Sequence, residues 1–83
     1  MEQLKTLNVR IIEEAFLVSE EGKIYRSVID QTEKVLIEKV LQKTAGNQIV
    51  AAQMLGLNRN TLRSKIRKLQ IDPLMFREYK EDY

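Results

Sequence analysis

The sequence has no cysteine and no histidine among its 83 residues. The first absence excludes disulfides, thiolate nucleophiles and cysteine-ligated zinc, and the second removes the commonest metal ligand and general base. Adjacent acids such as Glu13-Glu14 and Glu20-Glu21 remain, but neighbours in a helix point to different faces and do not form a carboxylate pair. We therefore predict no catalytic residue, no metal site and no cofactor, and we expect that the protein is not an enzyme.

Proline, glycine and long apolar runs are also scarce. One Pro and three Gly leave little room for disordered linkers. No apolar run approaches the length of a membrane span, and Met1-Glu2-Gln3 does not open a signal peptide. We expect one small, almost entirely helical domain that lies in the cytoplasm, at the nucleoid, without a membrane partner.

Two short helices joined at Gly56 are predicted between Asn47 and Leu69. Asn47 and Asn58 stand where each helix would begin, and Asn is a favoured N-cap residue. Gly56 stands at the turn, where a positive φ costs glycine little. The second helix has its apolar residues on one face, at Leu62, Ile66 and Leu69. This pattern is typical of a helix-turn-helix.

The second of these helices carries charge of one sign. Residues 44–71 contain no Asp or Glu, and their five cations are Arg59, Arg63, Lys65, Arg67 and Lys68. An ordinary solvated face mixes both signs, as residues 30–39 do, because i to i+4 ion pairs stabilise a helix. A cluster of like charges repels itself unless a polyanion binds it, so the pattern favours a phosphate-binding surface over a merely solvated one.

Residues 46–65 contain several short motifs at fixed distances from one another. They are Gly46-Asn47-Gln48, Ala51-Ala52, Gly56-Leu57-Asn58-Arg59, Thr61-Leu62-Arg63 and Lys65. In type and spacing they resemble the C-terminal helix-turn-helix of the Fis family. That family includes the bacterial nucleoid protein Fis and the DNA-binding domains of NtrC-type sigma-54 activators. The resemblance runs from about Ile24 to Asp72. It implies a four-helix subunit that dimerises through its first two helices and places its last helix in the major groove.

The resemblance also implies which positions contact DNA. Carried over one by one, these positions are Asn47, Asn58, Arg59, Thr61, Arg63, Lys65, Arg67 and Lys68. Ile49 and Ser64 depart from the family pattern, which has Thr and Lys there. Within this set, we expect Asn58, Arg59, Thr61 and Arg63 to meet base edges, with Arg59 bidentate to guanine, and Lys65, Arg67 and Lys68 to anchor phosphates.

The first 45 residues predict two long amphipathic helices, from Glu2 to about Val18 and from about Ile24 to Thr44. Their apolar arcs cover more than half of each circumference, roughly 200° in the first helix. A hairpin of two such helices cannot hide both arcs, so we predict a homodimer in which two hairpins form an intermolecular four-helix bundle. The predicted interface residues are Leu4, Leu7, Ile11, Phe16, Tyr25, Val28, Ile29, Val35, Leu36 and Val40.

A monomer folded on itself is the alternative to this dimer, and an extended coiled coil is a second alternative that the break at Gly22 disfavours. We expect one compact all-α domain with three parts. Residues 1–45 form the dimerisation helices, and residues 46–71 form the helix-turn-helix. Residues 72–83 form a short terminal helix or tail that starts at Asp72-Pro73, with Phe76, Tyr79 and Tyr83 packing on the body.

These features predict sequence-selective binding of duplex DNA by a homodimeric bacterial transcription regulator. The resemblance leaves two settings. In the first, the chain is the C-terminal domain of an NtrC-type sigma-54 activator, with ATPase and receiver domains upstream in a longer parent chain. In the second, it is a stand-alone, DNA-bending nucleoid protein like Fis. Fis has an N-terminal arm before its first helix, which this sequence lacks, so the first setting is favoured. A protein-interaction adaptor is a remote third hypothesis.

Overall fold

The structure, a computed structural model, describes residues 2–77, with side chains from residue 8 onward. Four α-helices follow one another: α1 (Glu2–Val18), α2 (Ile24–Lys43), α3 (Gln48–Leu55) and α4 (Arg59–Lys68), and a 3-10 turn (Pro73–Phe76) comes after them. The described residues contain no strand, so the all-α prediction is confirmed. Within residues 2–77, no helix has both the length and the apolar character needed to cross a membrane.

The predicted N-caps of α3 and α4 are confirmed. The side-chain oxygen of Asn47 accepts hydrogen bonds from the backbone N–H groups of Ile49, at 3.1 Å, and Val50, at 3.2 Å. The oxygen of Asn58 accepts from the N–H of Asn60 at 2.8 Å. Each cap satisfies donors that have no partner within the first helical turn. The starts of both helices are therefore set by local chemistry.

The turn between α3 and α4 depends on Gly56. Its φ of 74° is left-handed, and its N–H donates back to the carbonyl oxygens of Ala52 and Gln53. A residue with a Cβ adopts this conformation only with strain, so glycine ends α3 at little cost. Beside the turn, Ala51 and Ala52 are buried. Their small side chains let α3 pack closely against α4.

The chain divides into two compact units, residues 1–32 and 33–83. The division falls inside α2. The reason is that Ile37, Val40 and Leu41 of α2 belong to the core of the second unit. The other buried members of that core are Ala51, Ala52, Leu62, Ile66 and Ile71. The last part of α2 thus acts as a third helix of the helix-turn-helix.

The first unit contains α1 and the start of α2. Among its described side chains Ala15 alone is buried. Large apolar side chains remain exposed there, and they include Phe16, Leu17, Val18 and Tyr25. A single copy of this unit therefore buries little of its apolar surface.

The segment after α4 begins as the sequence predicts. The Asp72 carboxylate accepts a hydrogen bond from the N–H of Leu74 at 3.0 Å and caps the 3-10 turn, whose first residue is Pro73. Phe76 packs against the core of the second unit. The packing predicted for Tyr79 and Tyr83 lies outside the described residues.

Candidate nucleic-acid interface

Helix α4 has one buried face and one exposed cationic face. Leu62 is fully buried and Ile66 nearly so, which matches their predicted spacing. The exposed side chains along α4 are Arg59, Asn60, Thr61, Arg63, Ser64, Arg67 and Lys68. Burial of the apolar face fixes the rotation of the helix about its axis. The basic face is therefore presented outward by the packing of the core.

Lys65 is placed differently from the other cations of α4. Its side chain is 33% exposed, and its ammonium forms an ion pair at 2.5 Å with the carboxylate of Glu33, which is 27% exposed. The pair ties α4 to α2 inside the second unit. Counting charges within residues 44–71 misses Glu33 because it lies far earlier in the chain. A usable signal was present, since Glu33 precedes Ile37 by one helical turn and so shares its core-facing side.

The start of α3 and the start of α4 meet at an open cleft of about 370 Å³. Its lining residues are Gly46, Asn47, Gln48, Ile49, Arg59 and Arg63. Three of the predicted DNA-contacting residues, Asn47, Arg59 and Arg63, therefore come together although they are separated in sequence. Ile49 also lines this cleft, so the position that departs from the family pattern contributes an apolar surface there.

The two capping asparagines can serve a second purpose. Each cap uses the side-chain carbonyl oxygen as an acceptor. The amino group on the same side chain is a donor, which suits a phosphate oxygen or a base acceptor. The caps hold both side chains in fixed orientations at the helix starts, so capping and DNA contact are compatible roles for Asn47 and Asn58.

Arg59 and Lys68 lie at opposite ends of α4. The nine residue steps from Arg59 to Lys68 correspond to about 14 Å along the helix axis, at 1.5 Å per residue. A helix that enters a groove at one end contacts bases there and the flanking backbone at the other end. The exposed cations of α4 are thus spread along the whole length of the helix.

The predicted dimer-interface residues whose side chains are described fall into three groups. Phe16 is 65% exposed, Tyr25 79%, Val35 64% and Leu36 52%, and Ile29 is also exposed. Ile11 and Val28 are half-buried. Val40 lies in the core of the second unit, so its side chain is already covered within its own chain. The side chains of Leu4 and Leu7 are outside the described part of the structure.

Comparisons with known proteins match the helix-turn-helix. A family model described as bacterial regulatory protein, Fis family, matches residues 28–69. The DNA-binding transcriptional regulator NtrC of Azospirillum brasilense is 58% identical over 48 residues, which are 58% of this chain and 10% of that protein. NtrC of Bradyrhizobium sp. (strain RP501 Parasponia) is 52% identical over 48 residues, with the same shares of the two chains.

DNA-binding protein Fis of Proteus mirabilis (strain HI4320) is 49% identical over 45 residues, which are 54% of this chain and 46% of that protein. The chain thus spans about a tenth of the NtrC relatives and just under half of the Fis relative. No solved structure matches. The matched range includes most of α2 and all of α3 and α4, which is the part of the fold that presents the basic face.

Proposed function

This chain belongs to the Fis family of bacterial regulatory proteins, and from that membership we propose that it binds specific duplex DNA sites as a homodimer. We propose further that it is the DNA-binding part of an NtrC-type transcription regulator. The observation that carries the proposal is the exposed face of α4, where Arg59, Arg63 and Arg67 project from a helix whose opposite side is buried.

The charge on this face supports a polyanionic partner. No acidic residue occurs from residue 44 to 71, and Glu33 of α2 forms an ion pair with Lys65 of α4. Duplex DNA binds such a face favourably because each phosphate that a cation neutralises releases condensed counterions. A face that served only solubility would mix opposite charges along the helix, as α2 does with Lys34 and Glu38.

The two ends of α4 support a division between reading and anchoring. Arg59 is the first residue of the helix and follows the Asn58 cap. Its planar guanidinium can give two parallel hydrogen bonds to guanine O6 and N7 in the major groove. Arg67 carries the same guanidinium group near the other end of α4. A recognition helix leaves the major groove at that end and lies beside the DNA backbone. We propose that Arg59 reads sequence and that Arg67 and Lys68 bind phosphates.

The exposed apolar surfaces support a second copy of this chain as the protein partner. The first unit exposes Phe16 and Tyr25, and the second exposes Val35 and Leu36. A twofold dimer covers such surfaces with identical ones, and it presents two recognition helices to two half-sites. A monomer would leave these side chains in water at a cost of about 25 cal/mol for each Å² of apolar surface left exposed.

The NtrC-type setting is supported by the degree of identity. The two NtrC relatives are 58% and 52% identical to this chain over 48 residues, compared with 49% over 45 residues for Fis. This setting requires ATPase and receiver domains upstream in the parent gene. Sequencing the genomic reading frame upstream of the Met1 codon tests it. A frame that begins at Met1 would assign the chain to the stand-alone, Fis-like class instead.

Titration of matched arginine variants tests the DNA-binding mechanism. The probes are a duplex selected by the wild-type chain from a randomised pool and a scrambled duplex of equal length. Arg59→Ala should cost about 1–3 kcal/mol on the selected duplex and little on the scrambled one. Arg67→Ala removes the same group from the other end of α4. It should weaken binding to both duplexes alike. The steepness of the plot of log affinity against log salt concentration (the salt slope) should fall by about 0.9 per subunit.

The conservative variant Arg59→Lys is the control, and it should not restore specificity because it keeps the charge and loses the two-pronged donor. Equal losses on both duplexes for Arg59→Ala would make Arg59 a phosphate anchor and refute its role as reader. Wild-type affinity that is independent of salt would contradict DNA binding through this face and would favour the adaptor hypothesis.

A further inference from the structure

The segment that follows α4 is held on the second unit at both of its ends. Ile71 is buried in the core and Phe76 packs against that core. Between them, Asp72 caps the 3-10 turn Pro73–Phe76, and the N–H of Arg77 donates to the carbonyl oxygen of Leu74 at 3.2 Å. Residues 71–77 lie beyond the range 28–69 that matches the family.

Gly46 lets this segment approach the link between α2 and α3. A Cβ on Gly46 would lie 2.7 Å from the carbonyl oxygen of Pro73, 3.5 Å from the backbone N of Arg77 and 3.6 Å from its Cα. The φ of Gly46 is also left-handed, at 81°. The absence of a side chain thus allows the backbone of Arg77 to lie directly beside the residue that precedes the Asn47 cap.

Arg77 also lines a second open cleft, of about 300 Å³, together with Gly46, Asn47, Gln48 and Leu74. The residues Gly46, Asn47 and Gln48 line this cleft and the one that contains Arg59 and Arg63. Residues 46–48 therefore line both clefts. The first cleft also contains Arg59 and Arg63 of α4, and the second contains Arg77. The basic surface continues past the helix-turn-helix.

We infer that Arg77 is a further DNA contact, whose guanidinium binds a backbone phosphate beside the part of the duplex that Asn47 contacts. Arginine suits this role because its planar group can give two hydrogen bonds to one phosphate. The contact carries no sequence information by itself, but it fixes the register of the second unit on the duplex. This inference rests on the proposed DNA-binding function and extends its surface.

The acidic residues near Arg77 determine how the inference is tested. Asp72 uses its carboxylate in the cap of the 3-10 turn, and Glu78 follows Arg77 in the sequence. Deleting the C-terminal segment would remove charges of both signs at once. Single substitutions of Arg77 in the full chain avoid this ambiguity, and because Arg77 is exposed they leave the core intact.

The experiment measures binding of Arg77→Gln to the selected and scrambled duplexes by fluorescence anisotropy at several salt concentrations. Affinity should fall by about three- to ten-fold on both duplexes, and the salt slope should drop by about 0.9 per subunit, because one phosphate contact is lost. Arg77→Lys should keep the wild-type slope, since it keeps the charge. The matched control is Arg26→Gln, because Arg26 lines a surface that also contains Glu20 and Asp30; its slope should equal that of the wild type.

The possible outcomes separate this inference from the function on which it rests. An unchanged slope in Arg77→Gln, with or without loss of affinity, overturns the phosphate contact. If Arg59→Ala still loses specificity in the same assay, the proposed DNA-binding function is kept and only the Arg77 contact is rejected. If the wild-type chain itself shows no salt-dependent binding, both fail together. Far-UV circular dichroism of Arg77→Gln should match that of the wild type, so that a loss is attributed to the missing contact.

Discussion

The two units of this chain differ in how much of their apolar surface each one buries. Within residues 33–77, the second unit has eight buried apolar residues, contributed by α2, α3, α4 and the segment after α4. The first unit has one buried side chain among those described, Ala15, although it too is built from amphipathic helices. Both units contain amphipathic helices, but the second forms a core within the chain, although Val35 and Leu36 stay exposed, and the first has almost no core among its described side chains.

This difference indicates which part of the chain depends on association. Three helices packed around Leu41 and Leu62 can hold the basic face of α4 in place within a single copy. The first unit has no comparable core among its described side chains, and a second copy of the chain would cover its exposed aromatic residues. We therefore expect the DNA-contacting geometry to be a property of the monomer, and the integrity of the first unit to be a property of the dimer.

Introducing charge into the proposed interface should have the largest effect. Leu36 is 52% exposed in one copy, so Leu36→Glu costs the isolated second unit little. In a twofold dimer it would bury two carboxylates without partners, which costs several kcal/mol per ion. Sedimentation should show a monomer at micromolar concentration, and the dependence of the melting temperature on protein concentration that a dimer requires should vanish.

Gln31→Glu is the control for this change, because it adds the same charge at an exposed position of α2. It should leave sedimentation unchanged. If the wild-type chain is itself a stable monomer whose melting temperature is independent of concentration, the proposed role of the first unit in dimerisation is wrong.

A matched pair of leucine truncations should separate the two kinds of surface. Leu62 is fully buried, and Leu62→Ala should lower the free energy of unfolding by about 2–5 kcal/mol at every protein concentration. Leu36→Ala removes the same atoms from an exposed position, so its effect should act through association and shrink as the protein is diluted. Denaturant titrations at two protein concentrations measure both. A concentration-independent loss for Leu36→Ala would show that this residue packs within its own chain.

The sequence predicted the helices well because their ends are encoded locally. Asn47, Asn58 and Asp72 are caps that act within three residues of themselves, and Gly56 ends α3 through its own φ. The spacing of Leu62 and Ile66 likewise determines which face of α4 is exposed. These features need no knowledge of the rest of the fold.

The parts that could not be predicted all depend on contacts between distant residues. Val40 lies on the apolar arc of α2 beside Leu36, and only the packed structure shows that Val40 turns into its own core. The approach of Arg77 to Gly46 requires the chain to return past the start of α3. The ion pair of Lys65 with Glu33 also joins residues that are distant in the sequence. Because Glu33 neutralises its charge, Lys65 is no longer expected to bind a phosphate.

The smallest expected effect concerns the ion pair between Lys65 and Glu33. It tests how much this contact within the second unit contributes to stability and to DNA binding. Both side chains are about one-third exposed or less, and such pairs contribute about 0–1 kcal/mol to stability because water screens them. Glu33→Gln should therefore barely change the unfolding free energy. It should tighten DNA binding, since it removes the carboxylate that competes with phosphate for the Lys65 ammonium.

A double-mutant cycle in the salt-dependence assay isolates the interaction. In the wild-type background, Lys65→Gln should leave the salt slope nearly unchanged, because its charge is already neutralised by Glu33. In the Glu33→Gln background the same substitution should lower the slope by about 0.9 per subunit, because the freed ammonium has become a phosphate contact. A full reduction in the wild-type background would instead mean that Lys65 leaves Glu33 when DNA binds. In that case Lys65 is a phosphate anchor, as its position in the recognition helix first suggested, and the ion pair belongs only to the unbound state.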